Sequence, residues 1–351
     1  MTISASTSIL EIVMPGVTEP AGLQLQQRTL PAPTTGQALV RIDASGVSFA
    51  EQAMRKGLYP GQPKFPFVPG YDFVGTVLAV GPGVAQELIG TRVAAVTKTG
   101  GWATHTLVPA LDLVPVPADL DPALVETVIV NGVTAWQMLY REAQVKAGQT
   151  ILVHGANGGV GTVLCQLALH AGIRVIGTAA SQHHDALRKM GVEPVDYATS
   201  DLMARIRALA PGGVAAAFDH LGLESSRLSF GLLAPGGSLI SYGTAAGLND
   251  PSRAKLTTLI TVFVQLIGQL TLWNALPNAR HASFYNFWAG HTVGLGAFRR
   301  RFRDDLTAVL NLLAQGAITP HIAARFPLRE ASAAMTLAES HTVQGKVVIL
   351  P

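Results

Sequence analysis

Residues 150–161 read TILVHGANGGVG, an apolar run that passes directly into a glycine cluster and from there into a segment of helical spacing. Ile151, Leu152 and Val153 form the short apolar run of a buried parallel strand. Residues 160–171, VGTVLCQLALHA, carry helical apolar spacing. Strand, tight turn and helix is the order that a phosphate cradle needs. Gly158 lets the backbone approach a pyrophosphate, Gly161 lets the helix pack against the strand, and the helix N-terminus aims its free N–H groups at the anion. Asn157, Gly159 and Val160 complete the set of expected contacts in this turn. The first position of the GxGxxG pattern is Ala156, a departure from the pattern.

The context completes a βαβ unit. Residues 174–178, RVIGT, read as a second strand at the βαβ distance, followed by a helical segment at 185–190 and then GVEPVDY. An NAD enzyme carries Asp or Glu at the end of that second strand to bind the ribose 2′-OH. Here the place is held by Thr178, Ala179, Ala180 and Ser181, with His183, His184, Arg188 and Lys189 downstream. With no acid and several cationic or imidazole groups, NADPH is the expected cofactor. Arg188 and Lys189 individually also read as ordinary solvated helix residues.

At 351 residues the chain has room for two domains, and 48% hydrophobic against 13% charged residues fits a compact α/β protein rather than a disordered one. A net charge of +3, with Arg299–Arg301 and Arg303 followed at once by Asp304 and Asp305, gives no nucleic-acid surface. One cysteine, Cys165, rules out an intrachain disulfide and a cysteine-built structural zinc, so a reducing cytoplasmic setting is expected. The N-terminus lacks the basic and long apolar regions of a secretory signal. Residues 256–273, LTTLITVFVQLIGQLTLW, are uncharged but broken by Gln265, Gly268 and Gln269; a buried or interface helix is the default reading and membrane insertion the alternative.

Residues 10–127 hold short strands punctuated by Gly and Pro, at 39–44, 73–80 and 92–96, and read as an all-β unit. A helix is expected at 133–141. After Tyr197 the alternation continues: helix 201–209, strand 214–218, helix 225–233, strand 238–242. Repeated βα units imply a doubly wound parallel sheet with helices on both faces, with ligand at the carboxyl ends of the strands. Asp219, His220, Leu221 and Gly222, and Tyr242, Gly243 and Thr244, stand at such ends. Residues 284–288 can form the last strand, at an edge open to a second subunit. A helix at 298–314 and a strand at 346–350 close the chain.

Several strings, taken in order, resemble the medium-chain dehydrogenase/reductase superfamily in its zinc-free quinone oxidoreductase branch: GVSFA at 46–50 with GLY at 57–59, PGYD at 69–72 with Gly75, GVTA at 132–135, NGGVG at 157–161 and QGKVV at 344–348. The C-terminal half is also similar to the vesicle amine transport protein subgroup. The resemblance implies a GroES-like β-rich catalytic domain from 1–127 and 293–351, a Rossmann domain at 128–292 with an insertion at about 245–283, NADPH as cofactor, and a homodimer. Where zinc-dependent relatives carry a GHE-type string, this chain has Gly70, Tyr71 and Asp72, so no catalytic metal is expected.

Without zinc, developing negative charge must be stabilised by hydrogen bonds, which suits hydride delivery to a quinone or an enone-type C=C bond of a small-molecule substrate. By the resemblance, Tyr59 either donates to the substrate oxygen or shapes the pocket. Ser48 and Glu51 stand where the branch commonly has Asn and Asp, and Ser48 can still donate one hydrogen bond. Cofactor contacts carry over to Thr134, the Gly158–Gly161 turn, Thr178, Ser181, His183 or equally His184, Tyr197, and Tyr242 to Thr244. His105 and His220 are further proton carriers to consider. Two alternatives stand beside the broad reductase: a reductase dedicated to one biosynthetic intermediate, with residues 245–296 as a wall or lid, and a non-catalytic nucleotide-binding or membrane-associated relative.

Overall fold

The computed structural model describes residues 6–245, 256–340 and 342–351. The first strands are β1 (Ser6–Val13), β2 (Gln24–Pro31), β3 (Gln37–Val47), β4 (Asp72–Val80), β5 (Arg92–Val96), β6 (His105–Pro109) and β7 (Val114–Pro115). Next come β8 (Thr150–His154), β9 (Arg174–Ala179), β10 (Glu193–Asp196), β11 (Val214–Asp219), β12 (Leu233–Ser241) and β13 (His281–Phe284). β14 (Ile322–Pro327) and β15 (Lys346–Leu350) end the chain. The contacts divide it into one unit of Met1–Val133, Thr292–Gly316 and Pro320–Pro351, and another of Thr134–His291 with Ala317–Thr319.

The first unit is a seven-stranded sheet in the order β14-β15-β3-β4-β5-β7, with β6 also paired to β3. Both ends of the chain build it, because β15 lies antiparallel to β3 with Val347 opposite Val47. Its core is Ile42, Phe73, Val77, Val93, Ala95 and Val108. β1 and β2 form a separate antiparallel pair. Residues 130–133 belong here because the Val130 N–H donates to Asp72 Oδ2 at 3.2 Å and Gly132 leaves room for Val309.

The second unit is a parallel sheet in the order β10-β9-β8-β11-β12-β13, the 3-2-1-4-5-6 order of a dinucleotide fold. Its central strands are covered on both faces, which is why they read as unbroken apolar runs: Ile151, Leu152 and Val153 are all fully buried. Thr319 joins this unit by exchanging two hydrogen bonds with the Gln166 side chain, at 2.8 and 3.1 Å.

Three elements differ from the sequence reading. The helix expected at 133–141 is α-helical only over Val130–Trp136 and continues as a π-helical turn, Gln137–Glu142. The last strand of the sheet is His281–Phe284 rather than 284–288: its register with β12 runs from Ser238↔His281 to Ser241↔Phe284, and β12 ends there. Tyr285 then leaves the sheet, and its hydroxyl donates to Gln137 Oε1 at 2.9 Å. The apolar helix Leu256–Ala275 is only partly buried: Leu266 and Leu270 enter the core and Trp273 stacks on Phe230 at 4.2 Å, while Ile260, Val264 and Leu272 are exposed. Each fully buried leucine contributes about 1.5–3 kcal/mol, which fixes this helix by one face. Residues 246–255 of the proposed lid lie outside the described residues.

Beneath the carboxyl ends of the strands runs a buried polar chain. His154 Nδ1 pairs with Thr178 Oγ1 at 3.0 Å and Nε2 with Ser229 Oγ at 2.9 Å; the Ser229 hydroxyl reaches Asp219 Oδ2 at 3.1 Å, which also accepts from Ser225 Oγ at 2.5 Å. Burial pushes the His154 pKa below the ordinary imidazole value, partly opposed by Asp219.

Two outcomes are expected. A Cβ on Gly177 would fall 2.6 Å from Ala156 Cβ and 2.8 Å from Val192 Cγ1, so Gly177→Ala destabilises by about 1–3 kcal/mol and adding Ala156→Gly recovers only part of the loss in urea unfolding; an unaffected single variant rejects that packing. Because the folded imidazole of His154 is harder to protonate than the unfolded one, its contribution is complete above about pH 6.5 and is lost as pH falls through the folded pKa. His154→Gln flattens the slope of stability against pH in that acid window, and an unchanged slope excludes the assignment.

Candidate functional site

In the second unit the chain leaves β8 through Gly155, whose φ of +65° is left-handed. The His220 ring lies directly over it, where a Cβ would sit. The turn is closed by Gly158 N–H donating to Gly155 O at 2.9 Å and tied to β9 by Ala156 N–H donating to Thr178 O at 3.0 Å. Helix Gly159–His170 begins at once, capped by Gly158 in an extended conformation. A Cβ on Gly161 would collide with the Gly155 carbonyl, so only glycine lets the helix start this close to the strand. Val163, Leu164, Cys165 and Leu167 are buried beneath, and burial pushes the Cys165 thiol up to about 12, making it an inert core residue. Gly158 is exposed, and the N–H groups of Gly159, Val160 and Gly161 occupy the first turn, where no intrahelical acceptor exists. This arrangement can receive a diphosphate.

Ala156, at the first position of the motif, fits because β9 supplies Gly177 opposite it. Asn157 is half-buried in the turn, and Thr134 is buried in helix Val130–Trp136. β9 ends at Ala179 and leads through Ala180 into a short turn, Ser181–His183. Ser181 is exposed. β10 lies in register beside it, Asp196 opposite Ala179, so Tyr197 leaves the sheet next to that turn and is 58% exposed. The two histidines differ: His184 Nε2 folds back to Ala179 O at 3.1 Å, whereas His183 stays at the surface beside Gln182. Arg188 is paired with Asp185 at 2.8 Å. Thr178 is buried, and its hydroxyl is committed to His154.

At the ends of β11 and β12, Asp219 and Ser241 are register partners. Asp219 Oδ1 accepts from the Leu221 N–H at 2.8 Å and its carbonyl from the Tyr242 N–H at 2.9 Å. The Ala245 N–H donates to His220 O at 2.9 Å, which closes the loop of Tyr242, Gly243 and Thr244 onto His220. Burial, with Asp219 next, raises the Tyr242 phenol, so it is a neutral hydroxyl. The His220 ring lies 5.6 Å from the Tyr242 ring, and burial lowers its pKa.

In the first unit, Ser48 is the N-cap of helix Phe49–Arg55. Its Oγ accepts from the Ala50 N–H at 3.1 Å and its hydroxyl bonds Glu51 Oε2, while the Ser48 N–H donates to the same carboxylate at 2.8 Å. This capping box consumes the hydroxyl that sequence reasoning offered to substrate, and the S-x-x-E spacing is its sequence signature. Glu51 Oε1 accepts from the Tyr71 N–H at 2.6 Å, and burial raises the Glu51 pKa. Tyr71 is aimed by Gly70, whose φ of +107° and contact with the backbone of Gly101 admit no side chain. The Tyr71 hydroxyl lies 2.8 Å from that of Tyr59, with the rings edge to face. Lys98 Nζ sits 5.7 Å from the Tyr59 ring centroid and donates to Gly61 O at 2.8 Å.

Sequence reasoning missed a buried charge cluster in this unit. Lys346 Nζ lies 3.2 Å from Glu126 Oε1, with Asp72 and Glu51 also fully buried. Burial, reinforced by Asp72, pushes Glu126 well up despite Lys346; burial opposes the Lys346 ammonium, but Glu126, Asp72 and Glu51 outweigh it and raise its pKa. The one visible signal was a lysine opening the apolar run KVVIL. His105 is half-buried beside Thr104, and burial lowers its pKa. Among the described residues, no group of three His, Cys, Asp or Glu side chains could hold a metal ion.

Comparison with known proteins agrees with this geometry. The alcohol dehydrogenase GroES-like domain family matches residues 34–118, and the zinc-binding dehydrogenase family matches residues 190–349. The human synaptic vesicle membrane protein VAT-1 homolog is 32% identical over 94% of this chain and 82% of its own length. A 2-haloacrylate reductase from a Burkholderia species is 30% identical, covering 91% of this chain and 92% of the relative. A mycobacterial structure solved with NADPH superposes with a TM-score of 0.80 at 28% identity, covering 98% of this chain and 100% of that one. With a GroES-like unit, a Rossmann unit and relatives of this similarity along nearly its whole length, the chain belongs to the medium-chain dehydrogenase/reductase superfamily, in its zinc-free quinone oxidoreductase branch.

Proposed function

We propose that this protein is an NADPH-dependent reductase that delivers hydride to a quinone or an activated C=C bond of a small molecule. The observation that carries the reading is the glycine turn: an exposed Gly158, a helix start pressed onto Gly155, and no acidic residue where β9 ends. NADPH, when bound, supplies the hydride and its electron pair. The N–H groups of Gly159, Val160 and Gly161 hold the diphosphate, and Leu221 with Tyr242 to Thr244 flank the nicotinamide end. Ser181, His183 and Tyr197 receive the 2′-phosphate, where an Asp or Glu would repel it. Tyr59 donates a hydrogen bond to the acceptor oxygen as negative charge develops there. The names of relatives support this chemistry: one is a 2-haloacrylate reductase, whose substrate carries a C=C bond conjugated to a carboxylate, and another is a probable quinone oxidoreductase of fission yeast.

A second reading is favoured by the helix Leu256–Ala275. Its stretch Thr257–Ala275 is long and apolar enough to cross a membrane by length and composition, with Val264 62% exposed. In that reading the protein is a nucleotide-binding, membrane-associated relative. Binding to liposomes in a flotation assay, together with silence toward every acceptor, selects it. A homodimer belongs to the first reading and is checked by mass in solution; it does not form by strand pairing all along β13, because the Asn274 side chain takes the Ala282 N–H at 2.9 Å and donates to the Ala282 carbonyl at 2.7 Å.

The expected outcome for the cofactor is a rise in melting temperature with NADPH that exceeds the rise with NADH. At a hundredfold excess over Kd the stabilisation is about 2.7 kcal/mol. Replacing Ser181 or His183 by Asp reverses the preference; equal shifts for both nucleotides in every variant reject the 2′-phosphate assignment. A panel of quinones, enones and haloacrylates followed by NADPH oxidation then separates a broad reductase from a dedicated one.

A further inference from the structure

Two phenols and a lysine converge in the first unit from separate segments of the chain. Tyr59 follows the helix Phe49–Arg55, Tyr71 precedes β4, and Lys98 follows β5. Tyr71 is the fixed member. It is 5% exposed, its N–H is held by Glu51, and its carbonyl accepts from the Thr97 and Lys98 N–H groups at 2.9 and 3.0 Å. Tyr59 is only half-buried, so it is the member with a face toward solvent or ligand. Lys98 has a φ of +70°, which a glycine would adopt without strain. A lysine held there points to a use for its side chain, and that side chain lies over the Tyr59 ring.

We propose that Tyr71 and Lys98 are positioning residues for Tyr59 in proton delivery, Tyr71 fixing the direction of the Tyr59 hydroxyl and Lys98 stabilising the charge left on its oxygen. This rests on the reductase reading above. With Tyr71 donating to Tyr59 Oη across their 2.8 Å contact, the hydrogen of Tyr59 is turned away from Tyr71 and toward an acceptor. The acceptor, having gained a hydride, carries one negative charge on oxygen. The O–H bond of Tyr59 breaks, its proton forms the new O–H bond on the acceptor, and the electron pair stays on Tyr59 Oη. The Lys98 ammonium above the ring stabilises that phenolate, and water returns the proton at the half-buried face of Tyr59. The capping box leaves Ser48 outside this path, because its hydroxyl is already engaged.

The test uses the full chain and four variants: Tyr59→Phe, Tyr71→Phe, the double variant and Lys98→Met, with Lys98→Arg as rescue. Melting curves with and without NADPH first establish folding and cofactor binding, neither of which these changes should move. Tyr59→Phe is expected to lower kcat about 100-fold and Tyr71→Phe about tenfold, with KM for NADPH unchanged and the double variant no worse than Tyr59→Phe. Lys98→Met lowers kcat and moves the kcat–pH profile, and Lys98→Arg restores both. Wild-type kcat in Tyr71→Phe and Lys98→Met, or a double variant that loses the product of the two single effects, overturns the proposal. If NADPH binds yet no acceptor is reduced, it is the reductase reading that fails. The array is then read from the near-ultraviolet phenolate titration, as the difference between wild type and Tyr59→Phe: a step moved to higher pH by Lys98→Met supports it, and an unmoved step overturns it.

Discussion

The contact between Gly161 and the Gly155 carbonyl governs the second unit, since no other residue lets a helix begin so close to the end of β8. That closeness sets the direction of the helix start, and with it the N–H groups that can meet a diphosphate. The rest of the sheet is adjusted to it. Ala156 brings a methyl group into a place that the motif reserves for glycine, and β9 answers with Gly177. His220 packs its ring over Gly155, and its carbonyl in turn holds the loop that follows β12. The His154 to Asp219 chain stiffens these strand ends from below, with hydrogen bonds on both nitrogens of a buried imidazole. Satisfying each polar group is what makes such burial tolerable.

The first unit depends on a different constraint, the accommodation of three buried carboxylates around one lysine. Charges in such a setting cost several kcal/mol each when unpaired, and burial accordingly raises the pKa of Glu51 and of Glu126, with Lys346 opposing the shift in both. Gly46 is part of the same solution, because a Cβ there would collide with Glu126. Glu51 links the cluster to the surface by capping a helix at one oxygen and holding the Tyr71 N–H at the other. The orientation of Tyr71, and through it Tyr59, therefore follows from where buried charge can be placed.

Local chemistry was legible. The strand–turn–helix at 150–170, the absence of an acid after β9 and the strands at 39–44, 73–80 and 92–96 all reside in short windows whose periodicity or turn residues suffice. The Ser48–Glu51 capping box was equally local, yet the family likeness directed Ser48 to the substrate instead; its S-x-x-E spacing already stated the structural role. The edge strand was placed too late because 284–288 is aromatic, and aromatic residues suit a strand as well as they suit the segment that leaves it.

By itself the sequence determined the order of βα units, the glycine turn and the exclusion of a cysteine-held metal, because each is written in residue type and spacing along the chain, whereas the membership of both chain ends in one β-rich unit came only from the family likeness and is seen in the pairing of β15 with β3. Only the tertiary structure decided which of two adjacent histidines stays at the surface, why Ala156 is tolerated, and that Tyr59, Tyr71 and Lys98 meet. Those facts depend on strand register and on left-handed turns at Gly70 and Lys98. Pairings between residues distant along the chain are fixed by packing the whole sheet, and no local pattern encodes them.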